Sequence, residues 1–222
     1  MELKKVRIWD LPTRLFHWSL ALLVFGAIIT ERIGGSAIDW HFRIGYAILA
    51  LLFFRLVWGF IGSRYARFAS FIFSPKTIFA YATGKRPAHQ PAFHGHNPVG
   101  SLSVFALLIV VLAQTGSGLF ANDDIASEGP LMRFISKEMS DSVTWFHAQI
   151  GGNLIYALVG LHIAAIAFYL LRKKINLIKP MITGDKPADV DAVAALDNGR
   201  LRMTALFVVL ACSVAVYFIV NL

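Results

Sequence analysis

Five long apolar stretches constrain this chain more than any other feature. They run roughly over residues 14–31, 40–61, 99–120, 145–171 and 202–220. About 20 residues of α-helix cross a hydrocarbon layer, so each stretch is long enough to do so. An open sheet in lipid would leave its edges unpaired, and barrel strands would alternate polar with apolar, which these stretches do not. The spacing therefore predicts an all-α integral membrane protein with five transmembrane helices. Composition agrees: the 222 residues are 57% hydrophobic and 15% charged, whereas soluble domains are about a quarter charged. The first stretch follows Lys4, Lys5 and Arg7 as a signal peptide would. It lacks a small-residue cleavage site and passes into Thr30-Glu31-Arg32, so it reads as an uncleaved helix.

The net charge of +8 is confined to particular loops and is no sign of nucleic-acid binding. With five alternating spans, one side collects Lys4, Lys5, Arg7 and Arg14, then Arg64, Arg67, Lys76, Lys85 and Arg86. The same side carries Arg172, Lys173, Lys174, Lys179, Lys186, Arg200 and Arg202, which makes 16 of the 21 basic residues. The opposite side carries Glu31, Asp39, Asp123, Asp124, Glu128, Glu138 and Asp141 against Arg32, Arg133 and Lys137. The positive-inside rule then predicts a cytoplasmic amino terminus and a carboxyl terminus on the outer side. The single cysteine, Cys212, permits neither an internal disulfide nor a cysteine-rich metal site. Without C-x-x-C-H, covalent attachment of a c-type haem is excluded.

Four histidines lie within the apolar stretches: His17, His41, His147 and His162. Ionisable side chains inside a bilayer are costly and usually functional. Depth pairs them. With the amino terminus inside, His41 and His147 fall at the outer ends of helices two and four. His162 lies about 22 Å further along helix four, toward the inner half shared with His17. Two bis-histidine sites, one above the other, fit axial ligation of two haem b groups. Gly45 and Gly151 lie four residues after His41 and His147, on the same helix faces, and offer flat surface for a macrocycle. Arg43 is the candidate for the outer propionates, and Arg14 and Arg55 for the inner ones, with snorkelling to the cytoplasmic interface the alternative for Arg55. Trp40 and Trp145 suit an aromatic belt and receive no redox role.

The loops carry less. Residues 32–39 make a tight turn between helices one and two. Residues 62–98 hold Pro75, Pro87, Pro91 and Pro98 with Phe68, Phe71, Phe73 and Phe79, and predict an amphipathic stretch along the inner membrane surface. His89, His94 and His96 lie there too, in capping or interfacial roles, with metal binding by His94-Gly95-His96 or contact with quinone as the alternatives. In residues 121–144, Pro130 to Ser142 predicts a short helix with Leu131, Phe134, Ile135 and Met139 on one face. Residues 172–201 turn from basic to acidic through Asp185, Asp189, Asp191 and Asp197, and read as a solvated connector.

Several motifs together resemble the bacterial cytochrome b561 family, in the branch containing the b-type cytochrome subunits of nickel–iron hydrogenases. They are Trp9-Asp10 to His17-Trp18, His41-Phe42-Arg43-Ile44-Gly45-Tyr46, Arg55-Leu56-Val57-Trp58-Gly59-Phe60 with Arg67-Phe68, and Gly95-His96-Asn97-Pro98, completed by His147 and His162. The resemblance implies a four-helix transmembrane haem-binding bundle with two b haems, liganded by His17, His41, His147 and His162. It implies electron transfer between membrane quinone and a partner redox protein, a periplasmic cytochrome or a dehydrogenase- or hydrogenase-type subunit. Helix five has no histidine and is expected to be a peripheral fifth transmembrane helix. The expected organisation is a di-haem domain over 1–180, a cytoplasmic connector over 181–201 and a carboxyl-terminal helix over 202–222.

An electron-transfer subunit fits better than a stand-alone enzyme. A superoxide:quinone oxidoreductase on the same scaffold needs a positive external funnel, whereas the third loop holds five acids against two bases. A haem-free metal permease would want a polar path, and helices three and five offer little beyond Gln114.

Overall fold

The computed structural model describes residues 4–85, 93–125, 127–188 and 192–222. Expectations for Arg86, Pro87, His89, Pro91, Asp189 and Asp191 fall outside the described residues. Among the described residues, five helices are long and apolar enough to cross a membrane, in the predicted places.

Helix α1 (Leu11–Ile33) starts where Asp10, 1% exposed, accepts the Thr13 amide at 2.6 Å. A carboxylate there satisfies one of the amides a helix start leaves open. The hydroxyl of Ser63 donates to the other Asp10 oxygen. Gly34 and Gly35, with φ of 65° and 55°, turn the chain into α2 (Ile38–Ile61). Glycine adopts such φ values without the steric cost that a Cβ brings.

The predicted surface stretch holds α3 (Pro75–Ala82), capped by Ser74 with Pro75 in its first turn. Phe79 is exposed on it, but Phe71 is not a surface residue. It is 1% exposed and packs on Phe68, Phe105 and His96.

Helix α4 (Pro98–Gly118) is capped by Asn97, which accepts the Gly100 amide at 2.7 Å. The helix predicted over Pro130–Ser142 is not found as such. A short turn at Met132–Phe134 ends before Ser136, whose hydroxyl caps α5 (Lys137–Trp145). Helix α5 passes through a wide turn at Phe146–Gly151 directly into α6 (Gly152–Leu171). Apolarity marks where a helix meets lipid, not where it starts, so the polar residues of α5 hid the continuation.

Two compact units make up the chain. The first comprises Phe16–Arg55, Leu107–Val159 and Leu206–Leu222. Its core joins Val24 of α1, Ile48 and Leu52 of α2, Val111 of α4 and Ile155 of α6. A second cluster seats Val216 of the last helix, α8 (Gly199–Val220), against Leu49 and Ala50 of α2 and Leu119. Phe207 and Phe218 of α8 are 73% and 64% exposed, as suits a lipid-facing surface.

The other unit comprises Met1–Leu15, Leu56–Ala106 and Gly160–Ala205. After α7 (Ile178–Thr183), strand β2 (Asp185–Ala188) pairs antiparallel with β1 (Lys4–Arg7). Gly184 sits at φ 88°, and its carbonyl accepts the Ile8 and Trp9 amides. The residues after α7 are therefore not simply a solvated connector. Asp197, with a side chain 5% exposed, binds Arg7 at 2.6 Å and Arg202 at 3.0 Å. Burial pushes the Asp197 carboxyl up. The hydrogen bonds from Arg202 and the Leu11 amide, with the Arg202 and Arg7 charges, outweigh burial and hold it below its ordinary value.

Candidate functional site

The turn at Gly34–Gly35 folds α2 back along α1, so His41 reaches the backbone of Ala27. Its Nδ1 lies 2.9 Å from the Ala27 carbonyl oxygen. A carbonyl only accepts, so Nδ1 carries the proton and Nε2 carries the lone pair. His147 repeats the arrangement on α4, with Nδ1 2.9 Å from the Gln114 carbonyl oxygen. The Gln114 side chain answers by donating from Nε2 to the His147 carbonyl at 3.0 Å. Gly118 permits this closeness, because a Cβ there would lie 3.0 Å from His147 Cε1.

The two rings face one another with centres 6.1 Å apart and planes at 84°. Two imidazoles across one metal, with bonds of about 2 Å, put their centres about 6 Å apart. They line a cavity of about 470 Å³ walled by Val24, Ile28, Ile48, Val111 and Ile155. Glu31, Arg32, Asn122 and Asp123 lie at polar parts of the same lining. No group of three His, Cys, Asp or Glu suited to a metal occurs among the described residues. The arrangement thus suits a metal that brings its own in-plane ligands.

The predicted glycines divide. Gly45 lines the cavity, and a Cβ on it would meet nothing within 4 Å. Gly151 does not serve as expected, because a Cβ there would run into Gln114 Oε1, and Gly152 lines the cavity instead. The cause is the wide turn. The Gly152 amide bonds the His147 carbonyl, an i→i+5 pattern that brings the fifth residue, not the fourth, over the histidine.

Arg43 does not line the cavity. Two positions past His41 it lies about 200° around the helix, with its guanidinium 5.2 Å from the Trp40 ring centre. The cation at the cavity is Arg32, which donates to the Tyr156 hydroxyl at 3.1 Å and sits 3.3 Å from Glu31. Arg14 donates to the Ile182 carbonyl at 2.5 Å and lies 3.9 Å from Asp197. Arg55 is buried at 3% exposure rather than snorkelling to water. His17 and His162 are each half-buried on α1 and α6, and His17 stacks edge-on with Trp18 at 5.1 Å.

Sequence reasoning missed Arg32, Tyr156, Gly118 and Gly152 as cavity residues. Arg32 carried a signal, since it is the one basic residue in the first loop. Elsewhere, His96 packs between Trp9 at 4.7 Å and Phe71 at 4.4 Å. With His94, Arg64, Tyr65 and Phe93 it lines a second cavity of about 400 Å³.

The model of the prokaryotic cytochrome b561 family matches residues 8–184. The chain belongs to that family. It is 23% identical over 215 residues to a probable Ni/Fe-hydrogenase B-type cytochrome subunit of Azotobacter chroococcum mcd 1, covering 81% of this chain and 87% of that one. A subunit of the same description from Azotobacter vinelandii is 23% identical over 216 residues, with the same coverage. Another from Rhizobium leguminosarum bv. viciae is 22% identical over 218 residues, covering 84% and 90%. No solved structure matches the chain.

This cytochrome b561 member is a multi-pass membrane electron-transport protein, and the b-type cytochrome it represents carries haem b. The His41–His147 cavity fits that group: two Nδ1-protonated imidazoles, apolar walls, a bare glycine and one guanidinium at the lining.

Proposed function

We propose that this protein carries electrons through two bis-histidine haem b groups, between membrane quinone and a redox partner. The partner is a hydrogenase-type subunit, as the names of the relatives suggest, or a periplasmic cytochrome. The observation that carries the reading is the facing pair His41 and His147, each held by Nδ1 on a backbone carbonyl. That bond fixes the tautomer and turns Nε2 to ligation. Bound haem b would supply a one-electron iron couple in a dry, low-dielectric setting.

His17 and His162 form the second proposed pair, on the strength of their sequence depth and the family pattern. Arg32, steadied by Tyr156, is the proposed partner of the propionates of the His41–His147 haem. Arg14 and Arg55 remain the proposed cations for the other haem. The amino terminus is proposed to be cytoplasmic in a bacterial inner membrane, on the charge asymmetry of the loops. The His41–His147 site then faces the periplasm, where Asp123, Asp124, Glu128, Glu138 and Asp141 receive the partner. Acids at that side disfavour the superoxide:quinone oxidoreductase alternative, which must attract an anion.

Pyridine haemochrome assay of the purified protein tests the reading, with two haem b per chain expected. His41→Ala and His147→Ala should remove one spectral component, and His17→Ala and His162→Ala the other. One haem per chain, or loss of the same component in the His41 and His17 variants, overturns it.

A further inference from the structure

The two carbonyls that hold the facing histidines share a second feature. The Ala27 carbonyl, which accepts His41 Nδ1, also lies 3.1 Å from the hydroxyl of Thr30, whose one proton is shared between this oxygen and the Gly26 carbonyl at 2.8 Å. The Gln114 carbonyl, which accepts His147 Nδ1, also accepts the hydroxyl of Ser117 at 2.9 Å. Both hydroxyls sit three residues after their carbonyl, on α1 and α4 respectively. Ala27 and Gln114 line the cavity, and Thr30 and Ser117 are not among its lining residues.

Serine and threonine commonly bond back to the preceding turn in helices. This chain does so at Thr204 to Arg200 and Ser213 to Val209, where no histidine is involved. At Thr30 and Ser117 a bond to the carbonyl three residues back, rather than four, falls on an oxygen that a proposed iron ligand also uses, and it does so at both ligands. Ser117 Oγ further lies 3.1 Å from His147 Nδ1 itself.

We propose that Thr30 and Ser117 are positioning residues that set the electron richness of the His41–His147 pair. The proposal rests on the reading of these histidines as haem ligands. A carbonyl oxygen shared with a hydroxyl offers less of its lone-pair density to the imidazole N–H. The imidazole therefore keeps more of its proton's charge compensation and donates less through Nε2. A weaker donor favours the reduced iron, since bonds of this second layer tune metal potentials. Removing either hydroxyl strengthens the remaining N–H bond to the carbonyl, at Ser117 by more than is lost with the longer 3.1 Å contact of Nδ1 to Oγ, makes the ligand more imidazolate-like and favours the oxidised iron. No electron, proton or bond is transferred in this effect.

Redox potentiometry of the whole protein in detergent, with low-temperature EPR of the oxidised form, tests the proposal. Thr30→Val and Ser117→Ala are each expected to move the midpoint of one haem component to a more negative potential. That component is the one lost in His41→Ala. Haem content should stay at the wild-type ratio, and the double variant should shift further in the same direction than either single one. Thr30→Ser and Ser117→Thr should restore the wild-type midpoint, and Thr204→Val and Ser213→Ala should leave it alone. Unchanged midpoints with full haem overturn the proposal, as does a positive shift. Haem loss in Thr30→Val or Ser117→Ala, cured by the conservative hydroxyl variants, also overturns it by making the hydroxyls holding groups. If His41→Ala and His147→Ala keep both haems, the ligand reading itself fails, which is a separate result.

Discussion

Replacing Gly45 by leucine separates a cofactor cavity from ordinary loose packing. A Cβ at Gly45 has open space, and the cavity it borders measures about 470 Å³. A glycine inside a helix costs about 0.8–1.0 kcal/mol relative to alanine, and leucine is nearly as good a helix former as alanine. Without a cofactor, Gly45→Leu should therefore hold or raise the unfolding temperature. With a macrocycle lying on the glycine, the new side chain overpacks the site by about 1–3 kcal/mol. At 1.4 kcal/mol per tenfold, that is roughly 5- to 150-fold weaker retention. The assay is pyridine haemochrome per chain with a reduced-minus-oxidised spectrum, alongside thermal unfolding in detergent. The ratio should fall toward one haem, and the missing component should be that lost in His41→Ala. Gly116→Leu is the control, because a Cβ at Gly116 also meets nothing within 4 Å but the residue does not line the cavity. Full haem content in Gly45→Leu would refute the reasoning.

Three other perturbations have defined outcomes. Arg32→Gln removes a cation from the cavity lining and should lower the midpoint potential of the His41–His147 haem while leaving its content unchanged, as read by potentiometry. Asp197→Asn should cost about 1–2 kcal/mol in detergent unfolding, because a charged acceptor is lost but its arginine partners are partly exposed and screened. The Asp197 carboxylate is held below its ordinary value. Its contribution should thus be complete above about pH 3.9 and vanish only as pH falls through that lowered value, so the wild-type and Asp197→Asn melting curves should converge in strong acid. Electron transfer to a basic partner should slow as ionic strength rises, through slower association, and reversing Asp123 and Glu128 to lysine should mimic high salt. A salt-independent stopped-flow rate would instead assign docking to the apolar surface of Phe134 and Leu131.

The spans were legible because lipid filters sequence harshly: nothing but an apolar helix or a closed barrel survives there. His41 and His147 could be matched because helical rise converts residue number into depth. Azimuth was less accessible. Gly151 was read with four residues to the next position on its face, and the wide turn at Phe146–Gly151 moved that role to Gly152. The side of the helix that Arg43 takes was no more legible: its guanidinium lies over the Trp40 ring and the residue does not line the cavity. Thr30 and Ser117 were invisible because their importance comes from histidines on other helices. The ribbon of β1 and β2 left no usable signal either. Lys4–Arg7 and Asp185–Ala188 are short and polar, and one contains Pro187.

That ribbon bears on how the chain is put into a bilayer. Strand β1 precedes the first span, and β2 follows the fourth. Their pairing demands that both ends of this tract emerge on one side, which an even number of crossings delivers and an odd number forbids. If any one span were skipped during insertion, residues 185–188 would surface opposite their partner. At a synthesis rate of about 5–20 residues per second, Lys4–Arg7 would wait roughly 10–40 s for its mate. The Arg7–Asp197 and Arg7–Asp185 ion pairs then close over the junction. The ribbon acts as a parity check on topogenesis, made only after four crossings have succeeded.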